Sequence, residues 1–454
     1  MKKIFCIVFT LLTTVAIAQN PTTYFMEGTP LRSQWNPAFA SQRGYVNIPV
    51  LGGLQANVQG NIALDNILCT NGSELLTILS SSVSADRALS GLQDMNRFGI
   101  GLNMNLLGFG AYTKNGKNFW SFDVNLRADA GVRAPYEFFD FLKRGNSGNF
   151  ANMGADINTY IEAGFTYSFP IMDKLYLGVR GKFLVGAVQA SLNFDEFDAY
   201  LGEDRWYAHV VGSMAVTGAE LPTKRLDDGT LVYDFKGFED MMDDMQMPGG
   251  YGFGIDVGAT YDVLPNLQVS LSVNDLGFMS WSKKGTSIGQ LDKDLEFEGV
   301  EVSADGVVSQ PRLDLGELNF VVQETESRTK ALRASVNAGG EYNFLNRKIG
   351  LGLFYNAKFW EYKTQHNLTA SANFRPMQWL HLSGSYSFIN NRGSAVGLAL
   401  NICPKGFNLF VATDMLLSRK TPQWIPISQS NVNVTFGLGI NIGKKGLRNA
   451  KSDE

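Results

Sequence analysis

The stretch Asn431-Val-Asn-Val-Thr-Phe-Gly-Leu-Gly-Ile-Asn-Ile-Gly443 decides the fold of this chain. Every second residue is apolar, and the residues between them are Asn, Thr or Gly. Strict period-2 alternation predicts a β-strand with one apolar and one polar face. A strand of this kind at the end of a chain of similar strands can close a barrel, with its apolar face toward lipid and its polar face toward a lumen.

The same alternation recurs through the chain. In Arg97–Lys114, Phe98, Ile100 and Leu102 alternate with Gly and Asn residues. In Lys174–Ala190, both Arg180 and Lys182 fall on the polar face. A charge on the lipid face at the bilayer midplane costs ~2–4 kcal/mol, so charges confined to inward positions are typical of a transmembrane barrel. A soluble β-sandwich also alternates, but its domains are near ~100 residues.

The lengths of the links between strands predict how many strands the barrel has. Membrane barrels alternate short turns with long loops around the ring. Long links are expected at residues 61–96, 131–155, 191–249, 279–330 and 417–430. Short and long links alternate in this way only if two segments, Trp206–Val216 and Leu313–Phe320, belong to loops. In both segments the alternation of apolar and polar residues is weak. We therefore predict an all-β, antiparallel transmembrane barrel of about fourteen strands with long extracellular loops; sixteen strands is the alternative. Two segments, residues 64–92 and Pro135–Lys143, are predicted to form helices in loops outside the barrel wall.

Composition and the N-terminus indicate export. Lys2 and Lys3, a short apolar run and Ala16-Ile17-Ala18 predict a signal peptide at residues 1–18. Charged residues make up 18% of the chain, against ~25% in typical globular chains. The net charge of -4 indicates no nucleic-acid partner. Cys69 and Cys403 form no disulfide framework, and whether they pair stays open.

The sequence predicts no catalytic, metal or cofactor site. His209, His366 and His381 are scattered, and no spacing typical of a hydrolase or a phosphate-binding loop surrounds them. The two cysteines have no zinc-ligand spacing to any histidine. We therefore expect a protein that is not an enzyme and binds no cofactor.

Residues 19–43 lack alternation and contain three prolines, with Asn36-Pro37-Ala38 near the end. Asn-Pro favours a turn, and a plug in the barrel mouth is the functional interpretation. The expected organisation is a signal peptide at 1–18, a hatch or plug at 19–43, a barrel at 44–443 and a polar periplasmic tail at 444–454.

With its signal peptide, its Asn36-Pro37-Ala38 motif, about fourteen strands and the strand end Asn274-Asp275-Leu276-Gly277-Phe278, the chain resembles the long-chain fatty-acid outer-membrane transporter superfamily. It also resembles Bacteroidota outer-membrane barrels of unknown function and the type IX secretion shuttle barrel. The resemblance implies a hatch in the lumen, with Asn36, Pro37 and Ala38 as its ligand or hatch residues, and sideways release of apolar ligands through the wall. The polar residues after Gly443 depart from the usual aromatic end of such barrels.

Two functions remain open. The first is a passive transporter or channel for hydrophobic small molecules in the cell outer membrane, in contact with outer-membrane lipid. The second is a structural or interaction barrel that binds a protein partner through loops 191–249 and 279–330. Long loops tend to carry function, whereas a barrel of this size needs a plug or leaves a passage.

Overall fold

The computed structural model describes residues 21–62, 68–71, 74–78, 80, 82–201, 206–234, 247–297, 318–360, 364–389, 392–414 and 432–447. The predicted signal peptide lies outside these residues. The helical elements are a 3-10 turn at Pro21–Thr23 and the helices α1 (Arg32–Trp35), α2 (Ala85–Leu89) and α3 (Tyr136–Arg144). Within the described ranges, no helix is long and apolar enough to cross a bilayer.

The strands, in chain order, are β1 (Gly44–Asn47), β2 (Leu54–Gly60), β3 (Leu68–Asn71), β4 (Glu74–Thr77), β5 (Met95–Tyr112), β6 (Phe119–Pro135), β7 (Gly148–Asn149), β8 (Met153–Met172), β9 (Leu175–Leu201), β10 (Trp206–Thr217), β11 (Thr223–Arg225), β12 (Leu231–Tyr233), β13 (Gly250–Leu264), β14 (Leu267–Trp281), β15 (Thr286–Phe297), β16 (Val321–Val322), β17 (Arg328–Ala331), β18 (Ser335–Phe344), β19 (Ile349–Phe359), β20 (Thr364–Met377), β21 (Leu380–Ile389), β22 (Arg392–Ile402), β23 (Asn408–Thr413) and β24 (Val432–Ile442).

These strands form a closed antiparallel barrel of fourteen wall strands. β1 and β2 together make the first wall strand, since both pair with β24. The wall continues through β5, β6, β8, β9, β13, β14 and β18–β24. Gly44 faces Ile442 and Leu54 faces Phe436 across the closing pair. The fourteen-strand prediction and closure by the C-terminal strand are confirmed.

Side chains alternate between lumen and exterior as the pattern predicted. In β20, Thr369 and Asn373 are buried inside, whereas Leu368 is 41% and Phe374 is 47% exposed on the outside. An exterior belt of exposed Leu, Phe, Val and Tyr around the whole wall would be unfavourable in water and matches hydrocarbon.

The two ends of the barrel differ in their links. At the turn end the links are tight: Gly116 takes a φ of 66° between β5 and β6, and Leu345, Asn346 and Arg347 all have positive φ between β18 and β19. Residues 444–447 of the predicted tail pack at this end, where the Gly446 N–H donates to the Gln42 carbonyl at 3.1 Å.

The loop end carries a folded lobe. β9 continues past the wall and pairs with β10, which in turn pairs with β15. Side chains from these three strands, together with Phe150 and Phe320 from neighbouring segments, form an apolar core. The strand residues in it include Phe194, Phe197, Val210, Met214, Leu291 and Leu295. β10 lies in this lobe and not in the barrel, as the fourteen-strand count required.

Two sequence predictions about the loops were wrong in detail. The described residues between 64 and 92 form the hairpin β3–β4 and, as their only helix, the five-residue α2. The three leucines at 75, 76 and 79 suggested a helix, but Gly72-Ser73 in the sequence between the runs 68–71 and 74–77 is a hairpin signal. The link 279–330 includes β15, whose alternation is hidden by three acidic residues, Asp292, Asp294 and Glu296. In Leu313–Phe320, residues 313–317 lie outside the described part and the rest is not strand.

Candidate functional site: the hatch and the lumen chamber

Residues 21–43 lie inside the barrel and are called the hatch here. Their side chains are largely buried, and Tyr24, Asn36 and Ala38 are 0% exposed. The Thr22 hydroxyl bonds to Ser385 Oγ and donates to Asp414 Oδ1, both at 2.6 Å. Polar side chains on the lumen face of the wall thus hold a segment that has little secondary structure of its own.

Asn36 uses its whole side-chain amide. Its Nδ2 donates to the carbonyls of Ala259 at 3.1 Å and Leu271 at 3.2 Å on two wall strands. Its Oδ1 accepts the Ala38 N–H at 2.8 Å, which forms a local turn. Asn36 therefore fixes both the turn of the hatch and its position against β13 and β14.

Pro37 and Ala38 fit against glycines on the wall. A Cβ at Gly178 would lie 2.0 Å from the Pro37 carbonyl carbon, and one at Gly258 would lie 2.0 Å from Asn36 Oδ1. The Ala38 carbonyl accepts Ser168 Oγ at 3.0 Å. The structure brings the three predicted residues together as an anchor of the hatch; their part in ligand passage stays a prediction.

The carbonyl of Trp35 is a second anchor that the sequence did not single out. It accepts hydrogen bonds from Ser272 Oγ at 2.7 Å and from the Nδ2 atoms of Asn274 at 2.8 Å and Asn337 at 3.1 Å. The available signal was the Ser and Asn content of the inward faces, which shows that the lumen binds polar groups but not which ones.

Glu27 ties the hatch to the opposite part of the wall. Its carboxylate pairs with Arg347 at 2.7 Å, and its carbonyl accepts Asn401 Nδ2 at 3.0 Å and contacts His381 Nδ1. Arg375 donates to the neighbouring Phe25 carbonyl at 3.0 Å. His381 therefore positions the hatch through backbone carbonyls, and its second nitrogen contacts the Gln378 carbonyl at 3.3 Å.

A buried ionic cluster spans the lumen faces of five neighbouring strands. Arg180 donates to Asp123 at 2.6 and 2.7 Å and to Glu162 at 2.6 Å. Lys182 pairs with Asp256 at 2.7 Å and Asp275 at 2.6 Å. Arg127 adds a contact to Glu162 at 2.8 Å. The cluster links these strands through side chains as well as through the sheet.

A chamber of about 630 Å³ lies in the lumen on the loop side of the hatch. Pro21 and Trp35 contribute its floor from the hatch. Its lining mixes apolar or aromatic side chains with charged ones, and includes Trp281, Trp360, Met279, Leu332, Lys358, Arg333, Asp129 and Asp156. A chamber of this volume is in the range of small-molecule sites.

Charge in the chamber is concentrated around Trp360. The guanidinium carbons of Arg97 and Arg333 lie 4.0 and 4.3 Å from its ring centroid. Arg333 also pairs with Asp129 and Asp156. Lys358 Nζ lies 5.0 Å from the same centroid, and among the described residues no carboxylate is within ion-pair distance of it. The chamber can therefore contact both the apolar and the polar part of a small molecule.

The wall beside the chamber has an incomplete strand pair, called the seam here. β5 pairs with the first wall strand only at its ends, at Phe109–Gly110 and at Phe98–Gly99. Between them, backbone bonds join only Asn105 to Val50 and Gly53, at 2.9 and 2.7 Å. In hydrocarbon, unpaired backbone is tolerated only where it is covered by protein or lines a cavity.

The other histidines lie apart from the chamber. His366 Nδ1 contacts Tyr355 Oη at 2.7 Å near the loop end of the wall. His209 lies in the lobe, and its hydrogen bond to Asp294 at 2.8 Å raises the pKa of the imidazole. No group of three or more His, Cys, Asp or Glu residues suited to a metal ion occurs in the part of the chain that the structure describes. Cys403 is a free, buried thiol.

Replacing Asn36 by alanine is expected to loosen the hatch by about 2–4 kcal/mol, because three hydrogen bonds are lost. Hydrogen–deuterium exchange of residues 30–43 in the folded, detergent-solubilised barrel would measure this. Gln42→Ala is the matched control, because no hydrogen bond of its side chain occurs among the described residues. Equal exchange in the two variants would contradict the anchoring role of Asn36.

One family model and several solved structures match this chain. Residues 37–414 match a family described as "Family of unknown function (DUF5723)". No curated protein matches the sequence. Similar solved structures include the toluene transporter TbuX of Ralstonia pickettii (9% identity, 94% of this chain and 95% of that chain, TM-score 0.43) and the toluene transporter TodX of P. putida (9%, 94% and 96%, TM-score 0.41).

A FadL homologue of Pseudomonas aeruginosa is similar at 7% identity, over 95% of this chain and 96% of that chain, with a TM-score of 0.41. At these identities and TM-scores, the similarities do not indicate a ligand for this chain.

Proposed function

Because this chain belongs to the DUF5723 family, whose function is unknown, we propose its activity from its own lumen: it is a passive outer-membrane transporter for hydrophobic small molecules. The observation that carries the proposal is the chamber of about 630 Å³, floored by the hatch and enclosed by a wall whose exterior is apolar. A purely structural barrel can have a lumen filled by side chains. A chamber closed by a segment that can move aside is what the passage of a small molecule requires.

The lining supports a ligand with an apolar body and one polar group. Trp281, Met279 and Leu332 offer apolar contact area inside the membrane-spanning part. Lys358 and Arg333 lie on the same chamber and can bind a carboxylate or hydroxyl. Burying the apolar part of a ligand contributes about 25 cal/mol per Å², so apolar contact would supply most of the affinity.

Location and export belong to the same proposal. A barrel with a lipid-matched exterior and a predicted signal peptide at residues 1–18 fits the outer membrane of a Gram-negative type of cell. In that setting the turn end faces the periplasm and the loop end faces outward, since short turns are periplasmic in such barrels. The resemblance to Bacteroidota barrels stays a prediction from sequence.

Binding is testable by tryptophan fluorescence, because Trp35, Trp281 and Trp360 all line the chamber. The refolded barrel is expected to show saturable quenching with a long-chain fatty acid and with the matching fatty alcohol, and none with a small sugar. Trp360→Phe should reduce the amplitude without abolishing binding. A barrel shown to be folded by heat-dependent gel mobility that responds to neither amphiphile would overturn the proposed ligand class.

The lobe favours one alternative, a barrel that binds a protein partner outside the cell. The described residues of loops 191–249 and 279–330 share an apolar core, in which Val210 and Leu291 are 1% and 2% exposed. Replacing residues 283–327 by a Gly-Ser linker separates the two functions. If the protein is a transporter, amphiphiles still quench its tryptophan fluorescence after this change. If it is a partner-binding barrel, it retains its fold but shows no response to amphiphiles with or without the lobe.

A further inference from the structure

Two amide groups on the hatch side of the chamber have buried atoms that form no hydrogen bond in the described part of the chain. Asn57 on β2 is 2% exposed, and its Nδ2 donor has no acceptor. Asn103 on β5 has a buried Oδ1 that accepts no donor. Both residues line the chamber. Unpaired buried polar atoms are unfavourable, so a molecule in the chamber that pairs with both atoms gains affinity.

The surroundings hold these two amides in place. Asn103 Nδ2 donates to Gln34 Oε1 at 3.1 Å, and the same oxygen accepts Gln55 Nε2 at 2.8 Å, so Oδ1 is the atom of Asn103 that is left over. Gly101 leaves room for Asn57, since a Cβ there would lie 2.4 Å from Asn57 Oδ1. Gly101 and Asn103 are one strand repeat, about 7 Å, apart on one face. The free donor and the free acceptor are therefore within reach of one amide-sized group.

Asn57 and Asn103, called the amide subsite here, are separate from the cations around Trp360. Arg97, whose guanidinium lies 4.0 Å from the Trp360 ring centroid, is on the same strand as Gly101. The four residues from Arg97 to Gly101 span about 13 Å of extended chain. A head group at the amide subsite is therefore out of contact with the Trp360 ring.

The amide subsite is electrically neutral. Arg127 faces Asn103 across the β5–β6 pair and lines the chamber, but it is already paired with Glu162 at 2.8 Å. The asparagine side chains carry no charge of their own. A charged head group would lose its hydration here without gaining a counter-ion, so the amide subsite favours an uncharged group.

We propose that the chamber selects amphiphiles with an uncharged head group that both donates and accepts hydrogen bonds, such as an amide, and that Asn57 and Asn103 recognise this head. The carbonyl oxygen of the ligand amide accepts from Asn57 Nδ2, and its N–H donates to Asn103 Oδ1. An ester or a carboxylate has no proton to donate to Asn103. This inference rests on the proposed transport function, because it names the ligand class of the same chamber.

The test compares N-methyldodecanamide with methyl dodecanoate, which differ only by N–H in place of oxygen. Quenching of tryptophan fluorescence measures both affinities in the refolded barrel, with Trp35 beside the amide subsite as a reporter. Asn103→Leu is expected to weaken binding of the amide roughly tenfold, equivalent to about 1.4 kcal/mol, and to leave the ester unchanged. A merely structural disturbance would weaken both probes alike.

Two further variants complete the test. Asn57→Leu leaves the contacts of Asn103 with the hatch intact and is expected to weaken amide and ester together, because both ligands carry a carbonyl oxygen. Asn158→Leu is the matched control: Asn158 also lines the chamber, but its Nδ2 already donates to Asp129 at 3.3 Å. It should leave both affinities at their wild-type values. Heat-dependent gel mobility establishes that each variant is folded.

The outcomes separate the ligand class from the transport function. If the ratio of amide to ester affinity is the same in wild type and Asn103→Leu, and Asn57→Leu binds both probes normally, the amide subsite is overturned and transport stands. If the ratio depends on Asn103 but the barrel does not speed arrival of the amide inside proteoliposomes, transport is overturned and the amide subsite stands. If neither probe quenches the folded barrel, both are overturned.

Discussion

Replacing Arg180 by methionine is expected to lower the free energy of unfolding by about 3–5 kcal/mol, the cost of removing one partner from a buried ion pair. Arg180 is 1% exposed and is the shared partner of Asp123 and Glu162. Methionine has a similar length and leaves both carboxylates in the lumen wall without their cation. Urea-induced unfolding of the barrel in lipid vesicles, followed by tryptophan fluorescence, measures the change.

Two variants make this prediction specific. Arg180→Met with Asp123→Asn should recover part of the lost stability, because the Asp123 charge is removed and Glu162 keeps Arg127. Arg144→Met is the control: Arg144 pairs with Asp140 one turn away on the surface of α3, and exposed pairs of this kind contribute only about 0.3–0.5 kcal/mol. A loss for Arg180→Met no larger than the loss for Arg144→Met would contradict a stabilising role of the cluster.

The wall of this barrel could be predicted from sequence because each strand carries its own signal. Alternation in segments such as β24 and β5 requires no knowledge of neighbours, and the link lengths determined the strand count. The inward placement of Arg180 and Lys182 followed from the same parity. Their partners did not, because pairing across strands depends on the register, which alternation leaves undefined.

The site was less predictable for a related reason. Asn36, Pro37 and Ala38 stood out through a resemblance, and the structure shows them anchoring the hatch rather than lining the chamber. The chamber residues Arg333 and Trp360 lie just outside regular strands, where alternation carries no information. Gln34 had no distinguishing signal, because its hydrogen bonds to Gln55 and Asn103 depend on how the hatch lies against the folded wall.

The hatch and the wall depend on each other. Most anchors of the hatch are hydrogen bonds to backbone carbonyls and to small inward side chains, each contributing about 0.5–1.5 kcal/mol. The ion pair between Glu27 and Arg347 adds to them. Steric fit adds specificity, since glycines on the wall leave room for the hatch backbone. Because the contacts are many and close, a single bulky side chain at one of them should disturb the whole segment.

Gly178→Ala is therefore expected to unseat the hatch. A Cβ at this position would lie 2.0–2.2 Å from backbone atoms of Pro37 and Ala38, and no side chain can move aside to relieve the overlap. Overpacking of this kind costs about 1–3 kcal/mol, and 1.4 kcal/mol corresponds to a factor of ten in an equilibrium. The rate at which a small sugar swells proteoliposomes should rise roughly tenfold as the hatch leaves its seat more often.

Gly181→Ala is the matched control, because it lies on the same strand and no atom occurs within 4 Å of its Cβ position. It should swell at the wild-type rate, and its unfolding in urea should be unchanged. If Gly178→Ala swells at the wild-type rate and shows normal hydrogen exchange over residues 30–43, the wall strand has shifted to accommodate the methyl group and the hatch has kept its position. In that case the hatch is a fixed part of the barrel, and passage would have to go around it rather than through its withdrawal.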